Sequence, residues 1–337
     1  MSSSPFSPVI EITRGKILES IHYGAIAVVA PQGNLVASYG DPNHFSYLRS
    51  SAKPIQALPL IESGGQKHYE FTPQEIALIC SSHSGTDAHS KVARSIQSKV
   101  GITEKDLLCG LHRPYHTETS HRMLRDDEPL TENRHDCSGK HSGMLALAKM
   151  NNFPLDSYLD PEHGVQQLIL NTFSEMTGVK VDEIGIGIDG CTAPNFSVPL
   201  QNAAWAWAKL VDPSDLAPSR AQACHTITQA MIAHPDMVAW TDRFDTALMM
   251  ASNGKIVSKG GAEGYLGIGL LAGAISLGSP ALGIAIKIAD GDLKNRARPA
   301  VALEVLRQLG ALSPSIFQAL KDYGPISDVL NWRKLVV

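Results

Sequence analysis

The sequence predicts an α/β fold of the α+β kind, with an antiparallel sheet lobe built from both termini and a helical lobe between them. Three observations lead there. Short β-rich runs separated by tight turns lie near both ends, at 25–39 and 255–288. Helical spacing governs the middle, where Met144, Leu145, Leu147 and Ala148 recur on one face. The 337 residues are 43% hydrophobic and carry no internal repeat or low-complexity linker, which suits one large two-lobed domain. The sheet lobe is expected at about 10–50 and 250–330 and the helical lobe at about 51–249.

Each element has a local reason. Residues 25–30 and 34–39 alternate around Pro31-Gln32-Gly33 and predict a hairpin. Ser50 leads into a short helix that runs through Ile61 and stops at Gly64-Gly65. Thr72-Pro73-Gln74-Glu75 is a capping box with proline in the first turn, opening a helix over 76–81. Thr86-Asp87 caps a helix ended by Gly101, and 109–136 reads as irregular. Helices are predicted at 137–150 and 161–176, with a short apolar strand at 183–189. Further helices are expected at 199–210, 219–233 and 243–251. Strands at 255–259, 265–271 and 281–288 follow, joined first by the turn signal Asn253-Gly254. Helices at 293–309 and 313–322 close the chain.

Composition narrows the function. A net charge of −4 favours neither nucleic acid nor an anionic membrane as partner. The first eight residues read as a short polar tail without the apolar region of a secretory signal, and the stretch 264–277 is too short and glycine-rich to span a bilayer. A cytoplasmic protein is the expectation. Five widely spaced cysteines, Cys80, Cys109, Cys137, Cys191 and Cys224, argue against a disulfide framework there and for buried thiols or metal ligands.

The most informative stretch is Ser50-Ser51-Ala52-Lys53 with Pro54 behind it. At the start of a helix, residues three apart share a face, so a hydroxyl and an amine come within reach. A lysine kept neutral by desolvation and a neighbouring cation can take the serine's proton. Alone, the motif is equally a capped helix with a solvated lysine. Four other segments add to it. Cys80-Ser81-Ser82-His83-Ser84-Gly85 is a turn able to present a side chain to a cleft, or an ordinary Ser/Gly turn. His135 to Gly143 packs metal-competent and small residues at a helix start, with Cys137 and Lys140 on one face. Asp189-Gly190-Cys191 ends a strand, a common place for a site. Cys137 and Cys191 with a third ligand could hold one zinc, although spacing alone favours buried structural thiols. Lys259-Gly260-Gly261 puts an ammonium on a strand edge where a substrate can lie close, or is a flexible hairpin with a solvated lysine.

Read together, LRSSAKPIQALPL (48–60), CSSHSG (80–85), NRHDCSGKHSGMLA (133–146), GIDGCTAPNFSVPL (187–200), RFDTALM (243–249), KGGAEG (259–264) and GIAIKIADGD (283–292) resemble the class 3, rhizobial-type L-asparaginases of the asparaginase II family, from about residue 10 to about 330. The order of the Ser-x-x-Lys, serine turn and late lysine is also similar to that of serine β-lactamases and penicillin-binding proteins, although the Asp-Asn and the Thr of their later motifs are missing. The resemblance implies a serine β-lactamase/glutaminase-like fold and a homodimer. It implies two Ser–Lys pairs, Ser50 with Lys53 and Ser82 with Lys259, where a shift of one would substitute Ser81. It implies one zinc held by Cys137, Lys140 and Cys191, with His141 and Asp189 shaping the substrate pocket.

The expected activity is hydrolysis of L-asparagine to L-aspartate and ammonia by acyl transfer, with Ser50 as nucleophile and Lys53 as base. Two lysines in one cleft depress each other's pKa, which suits a general base near neutrality. Arg49 is a candidate for the substrate α-carboxylate or for a structural ion pair. The zinc is expected to position substrate rather than to activate water. A glutaminase, a β-lactam-acting serine enzyme and an inactive zinc-dependent amino-acid-binding protein are the rivals.

Overall fold

The computed structural model describes residues 4–337. The first three residues of the expected polar tail lie outside the described residues. The rest of that tail is corrected: from Ser7 the chain is strand.

Among the described residues, nine strands form two sheets. In the large one, β1 (Ser7–Arg14), β2 (Ile17–Val29), β9 (Leu282–Ile288), β8 (Tyr265–Leu270) and β7 (Ile256–Gly261) lie side by side in that order, all antiparallel, and β3 (Leu35–Tyr39) pairs with the far half of β2. The small one is β4 (Phe45–Tyr47), β6 (Pro194–Pro199) and β5 (Gly185–Ile188). The central pairing, Gly24 opposite Ile288 through Val29 opposite Gly283, joins the two ends of the chain as predicted.

Alternation decides what each face of the large sheet can accept. Along β8 and β9, Leu266, Ile268, Ile284, Ile286 and Ile288 point one way, into a core shared with helices Phe244–Ala251 and Ala297–Gln308. Gly267, Gly269, Gly283 and Ala285 point the other way. That smooth face lets helix Leu200–Val211 lie almost on the backbone. A Cβ on Gly283 would sit 1.9 Å from the Ala204 carbonyl oxygen, and one on Gly267 would sit 1.9 Å from Trp207 Nε1.

Helix Ser138–Met150 is the axis of the helical part. Every residue from Ser138 to Ala148 is buried, polar ones included. Gly139 lets it press on the end of helix Pro73–Ile79, where a Cβ would meet the Leu78 carbonyl oxygen at 2.2 Å. This contact brings the start of one helix beside the turn that follows the other.

Several expectations need correction. The helix expected from Ser50 to Ile61 is broken into a 3-10 turn, Arg49–Ala52, and helices Lys53–Gln56 and Leu58–Glu62, because Pro54 and Pro59 lack the N–H that a continuous helix needs. The region read as irregular holds helix Thr117–Arg125, whose only buried residues are Thr119 and Met123, so it had no apolar stripe to reveal it. The strand expected at 183–189 is present as β5, but β6 was not expected, so the middle of the chain gives two strands to the small sheet.

Candidate active site

The Ser50 turn is held in an uncommon conformation. Arg49 has φ +51°, a left-handed value that costs a side-chain-bearing residue on the order of 1–3 kcal/mol. Its neighbours fix it there. Arg49 N–H donates to Asn195 Oδ1 at 3.0 Å, and Leu48 N–H to the Phe196 carbonyl at 3.1 Å. Gly261 of β7 leaves room for the turn, because a Cβ there would lie 2.3 Å from the Leu48 carbonyl oxygen. Strand β7, which carries Lys259, is thereby packed against the turn that carries Ser50. Ser50 itself is half-buried.

Lys53 points inward and is buried. Its Nζ lies 2.6 Å from the Ser81 carbonyl, 2.8 Å from Ser82 Oγ and 3.1 Å from Cys137 Sγ. The Ser81 carbonyl can only accept, so one N–H is committed to it. Ser82 Oγ can accept or donate, so a proton can pass between hydroxyl and amine without movement of either. Ser82, not Ser81, presents its hydroxyl to a lysine. The expected pairs of Ser50 with Lys53 and Ser82 with Lys259 thus differ from the observed bond, which joins Lys53 to Ser82. The turn is itself anchored: Ser82 N–H donates to Val238 O, His83 N–H to Asp136 O, and His83 Nε2 lies 2.8 Å from Ser138 Oγ.

Lys259 is fully buried on β7, with its Nζ donating to the Gly260 carbonyl at 2.6 Å. Burial, opposed by Asp245 and assisted by the charge of Lys53, brings its pKa down to about 7. The strand is fixed by Asp245, which accepts from Ser258 Oγ at 2.7 Å and from Gly260 N–H at 2.9 Å. Burial would raise the Asp245 carboxyl, but Lys259, Arg298 and these bonds hold it below its usual range.

Arg49 and Asp189, both expected near the substrate, face each other. Arg49 Nε and Nη2 lie 2.8 and 2.7 Å from Asp189 Oδ1. A cavity of about 480 Å³ opens beside them, lined by Tyr47, Arg49, Gly187, Asn195 and Lys287 among others. Larger hollows elsewhere, such as the one between β1–β3 and helix Ala297–Gln308, touch none of these residues.

Cys137, Lys140 and Cys191 converge. Lys140 Nζ donates to Cys191 Sγ at 2.9 Å, and the Cys137 thiol lies against the same sulfur. The hydrogen bond from Cys137 and the charge of Lys140 favour the Cys191 thiolate, while that bond and burial push Cys137 up. Burial disfavours the Lys140 ammonium, yet the two sulfurs keep its pKa raised. One thiol proton and one ammonium proton therefore sit among two soft sulfurs and an amine nitrogen. A divalent cation in their place would leave the net charge unchanged, so the donor set fits zinc. His141 stands alongside: its Nδ1 is 2.7 Å from the Tyr158 hydroxyl, and its Nε2 is buried near Cys191 without a well-formed hydrogen bond. Burial lowers the His141 pKa to about 4.

The sequence reading did not single out Asp136, His112 or Asp245 as site residues. Asp136 lies against the imidazoles of His112 and His135 and faces Lys53, and these neighbours hold its carboxyl well below the usual range despite burial. The Asp245 segment lay within a recognised motif, but nothing local said that its carboxylate braces the Lys259 strand.

Against known proteins, the chain matches the family described as L-asparaginase II over residues 10–337. No curated protein sequence matches it. Among solved structures, a probable glutaminase from Bacillus subtilis complexed with 6-diazo-5-oxo-L-norleucine is 13% identical, over 85% of this chain and 83% of that one, at a TM-score of 0.38. A Bacillus glutaminase in 4.3 M NaCl is 12% identical, over 88% of each chain, at 0.36. Those superpositions are too loose for residue correspondences. The match to the family covers nearly the whole chain and takes in every candidate residue above, so the protein belongs to the L-asparaginase II family of amidohydrolases.

Proposed function

We propose that the protein hydrolyses L-asparagine to L-aspartate and ammonia through a serine acyl-enzyme. The observation that carries this is the 2.8 Å contact between Lys53 Nζ and Ser82 Oγ, a buried hydroxyl–amine pair poised for proton transfer one turn from the more open hydroxyl of Ser50. Ser50 attacks the side-chain amide carbon. Lys53 is committed to Ser82, which leaves Lys259, with its pKa of about 7, as the amine that takes the Ser50 proton. The Lys53–Ser82 pair delivers a proton to the leaving nitrogen, ammonia departs, and water then opens the ester. Arg49 and Asp189, paired in the free protein, match the two charges of an amino acid: the guanidinium for the α-carboxylate and the carboxylate for the α-ammonium.

Cys137, Lys140 and Cys191 would hold a zinc ion, whose chemistry when bound is to orient a polar group of the substrate. The homodimer and the cytoplasmic location belong to the same proposal and rest on the family resemblance.

The test is ammonia release from L-asparagine and, in parallel, from L-glutamine, by wild type and by Ser50→Ala, Ser82→Ala and Lys53→Ala. Turnover of asparagine that falls at least a hundredfold in each variant is expected, as loss of a nucleophile or proton carrier costs about 10²–10⁴. One extra methylene is worth only about 1–3 kcal/mol in discrimination. Preference for glutamine would therefore move the assignment to a glutaminase, and no turnover of either amide would leave an amino-acid-binding protein.

A further inference from the structure

We propose a second divalent-metal site, made by His112 Nε2, His135 Nδ1 and Asp136 Oδ1, which takes a first-row transition ion of the zinc type. These three atoms all lie within 4.8 Å of one another. The two nitrogens are each 3.1 Å from the same carboxylate oxygen. An ion about 2.0–2.2 Å from nitrogen and oxygen donors has ligand–ligand edges of about 3.0–3.5 Å, so the spacing is that of a coordination edge.

The protons of the cluster point the same way. His112 Nδ1 lies 2.7 Å from the Arg113 carbonyl, which can only accept, so the ring proton is on Nδ1 and Nε2 carries a lone pair. Asp136 N–H also points at that Nε2, at 3.0 Å, as a donor facing an acceptor. His135 Nδ1 likewise accepts Cys137 N–H at 3.0 Å. Two nitrogen lone pairs are therefore crowded against a carboxylate oxygen. A shared cation turns those repulsive contacts into ligation. Two imidazoles and one carboxylate are a borderline donor set suited to zinc, cobalt or nickel rather than to calcium or magnesium. The side chain of His112 is 26% exposed, so an ion has a way in, while His135 and Asp136 are mostly covered. The thiol–amine set is a different group of donors, so the two sites can be loaded and removed separately.

Cobalt(II) separates them by colour. The full-length protein is stripped with chelator and titrated with Co²⁺ and, separately, with Zn²⁺, with metal content measured after desalting. Wild type is expected to bind two cobalt ions, one at the thiol–amine set with a near-ultraviolet thiolate charge-transfer band and one at the histidine–aspartate set with ligand-field bands alone. Cys191→Ser is expected to keep the second ion, and His112→Asn to lose it with at least a tenfold fall in affinity. Asp136→Asn is expected to do the same, and circular dichroism melts of the stripped proteins check that the variants fold. Wild type whose only bound cobalt shows the thiolate band would overturn the proposal, as would a His112→Asn protein that folds and binds as tightly as wild type. Wild type that binds no metal would show that protons alone occupy the cluster, and would overturn it equally.

Discussion

Lys259, proposed above as the base, would serve the chemistry at the expense of the fold. Its folded pKa of about 7 lies below the ordinary 10.5, so the unfolded chain holds the proton more tightly. The penalty for burying the ammonium is full below pH 7, shrinks between 7 and about 10.5, and vanishes above. Lys259→Met should therefore melt at a higher temperature than wild type at pH 7 while losing activity, and the difference in melting temperature should disappear near pH 11. The wild-type kcat/KM should rise with pH through about 7, as the amine loses its proton. A Lys259→Met protein less stable than wild type at pH 7 would refute this. The Ser50–Lys53 spacing and the serine turn at 81–84 could be read locally from the sequence. Which lysine bonds which serine could not, because Lys53 and Ser82 meet only through the packing of two helices. His112 was hidden in a segment without periodicity, whereas Asp136 lay in the metal-competent run from His135 with no role assigned to it.

At the scale of elements, the large sheet was the most legible part. The runs Tyr265–Leu270 and Leu282–Ile288 alternate glycine or alanine with leucine or isoleucine, and that alternation states both the strand and its two unequal faces. What it did not state was which helix would use the smooth face. Gly283→Val should show how close helix Leu200–Val211 lies. Overpacking usually costs about 1–3 kcal/mol, and a side chain here meets backbone rather than a flexible tip, so a loss of about 3 kcal/mol or more in urea unfolding is expected. A loss under about 1 kcal/mol would mean that the helix can move away. The strands that sequence reading missed share a cause. β1 is half exposed at a sheet edge, β4 has three residues, and β6 begins and ends with proline, so none has the apolar repeat that announces a strand.

For the whole molecule, the site is a seam. The turn with Ser50 follows β4, Lys259 is on β7, and the sheet that holds β7 closes only when β2 meets β9. Removing residues 328–337, which are half-buried or exposed throughout, should leave activity intact. Removing 282–337 takes away β9 and bares the edges of β2 and β8, and this chain should be recovered as aggregate in sedimentation assays. Soluble, cooperatively melting protein from that deletion would contradict the assigned strand order. The same order has a consequence for how the protein is made. At roughly 5–20 residues per second, β2 leaves the ribosome some tens of seconds before β9 exists. For that interval an interior strand of the finished sheet has hairpin partners on one flank only and offers the other to any passing chain. The nascent protein thus stays exposed to chaperones, and to misassembly with its own copies, even after every candidate catalytic residue has been synthesised, until β9 follows.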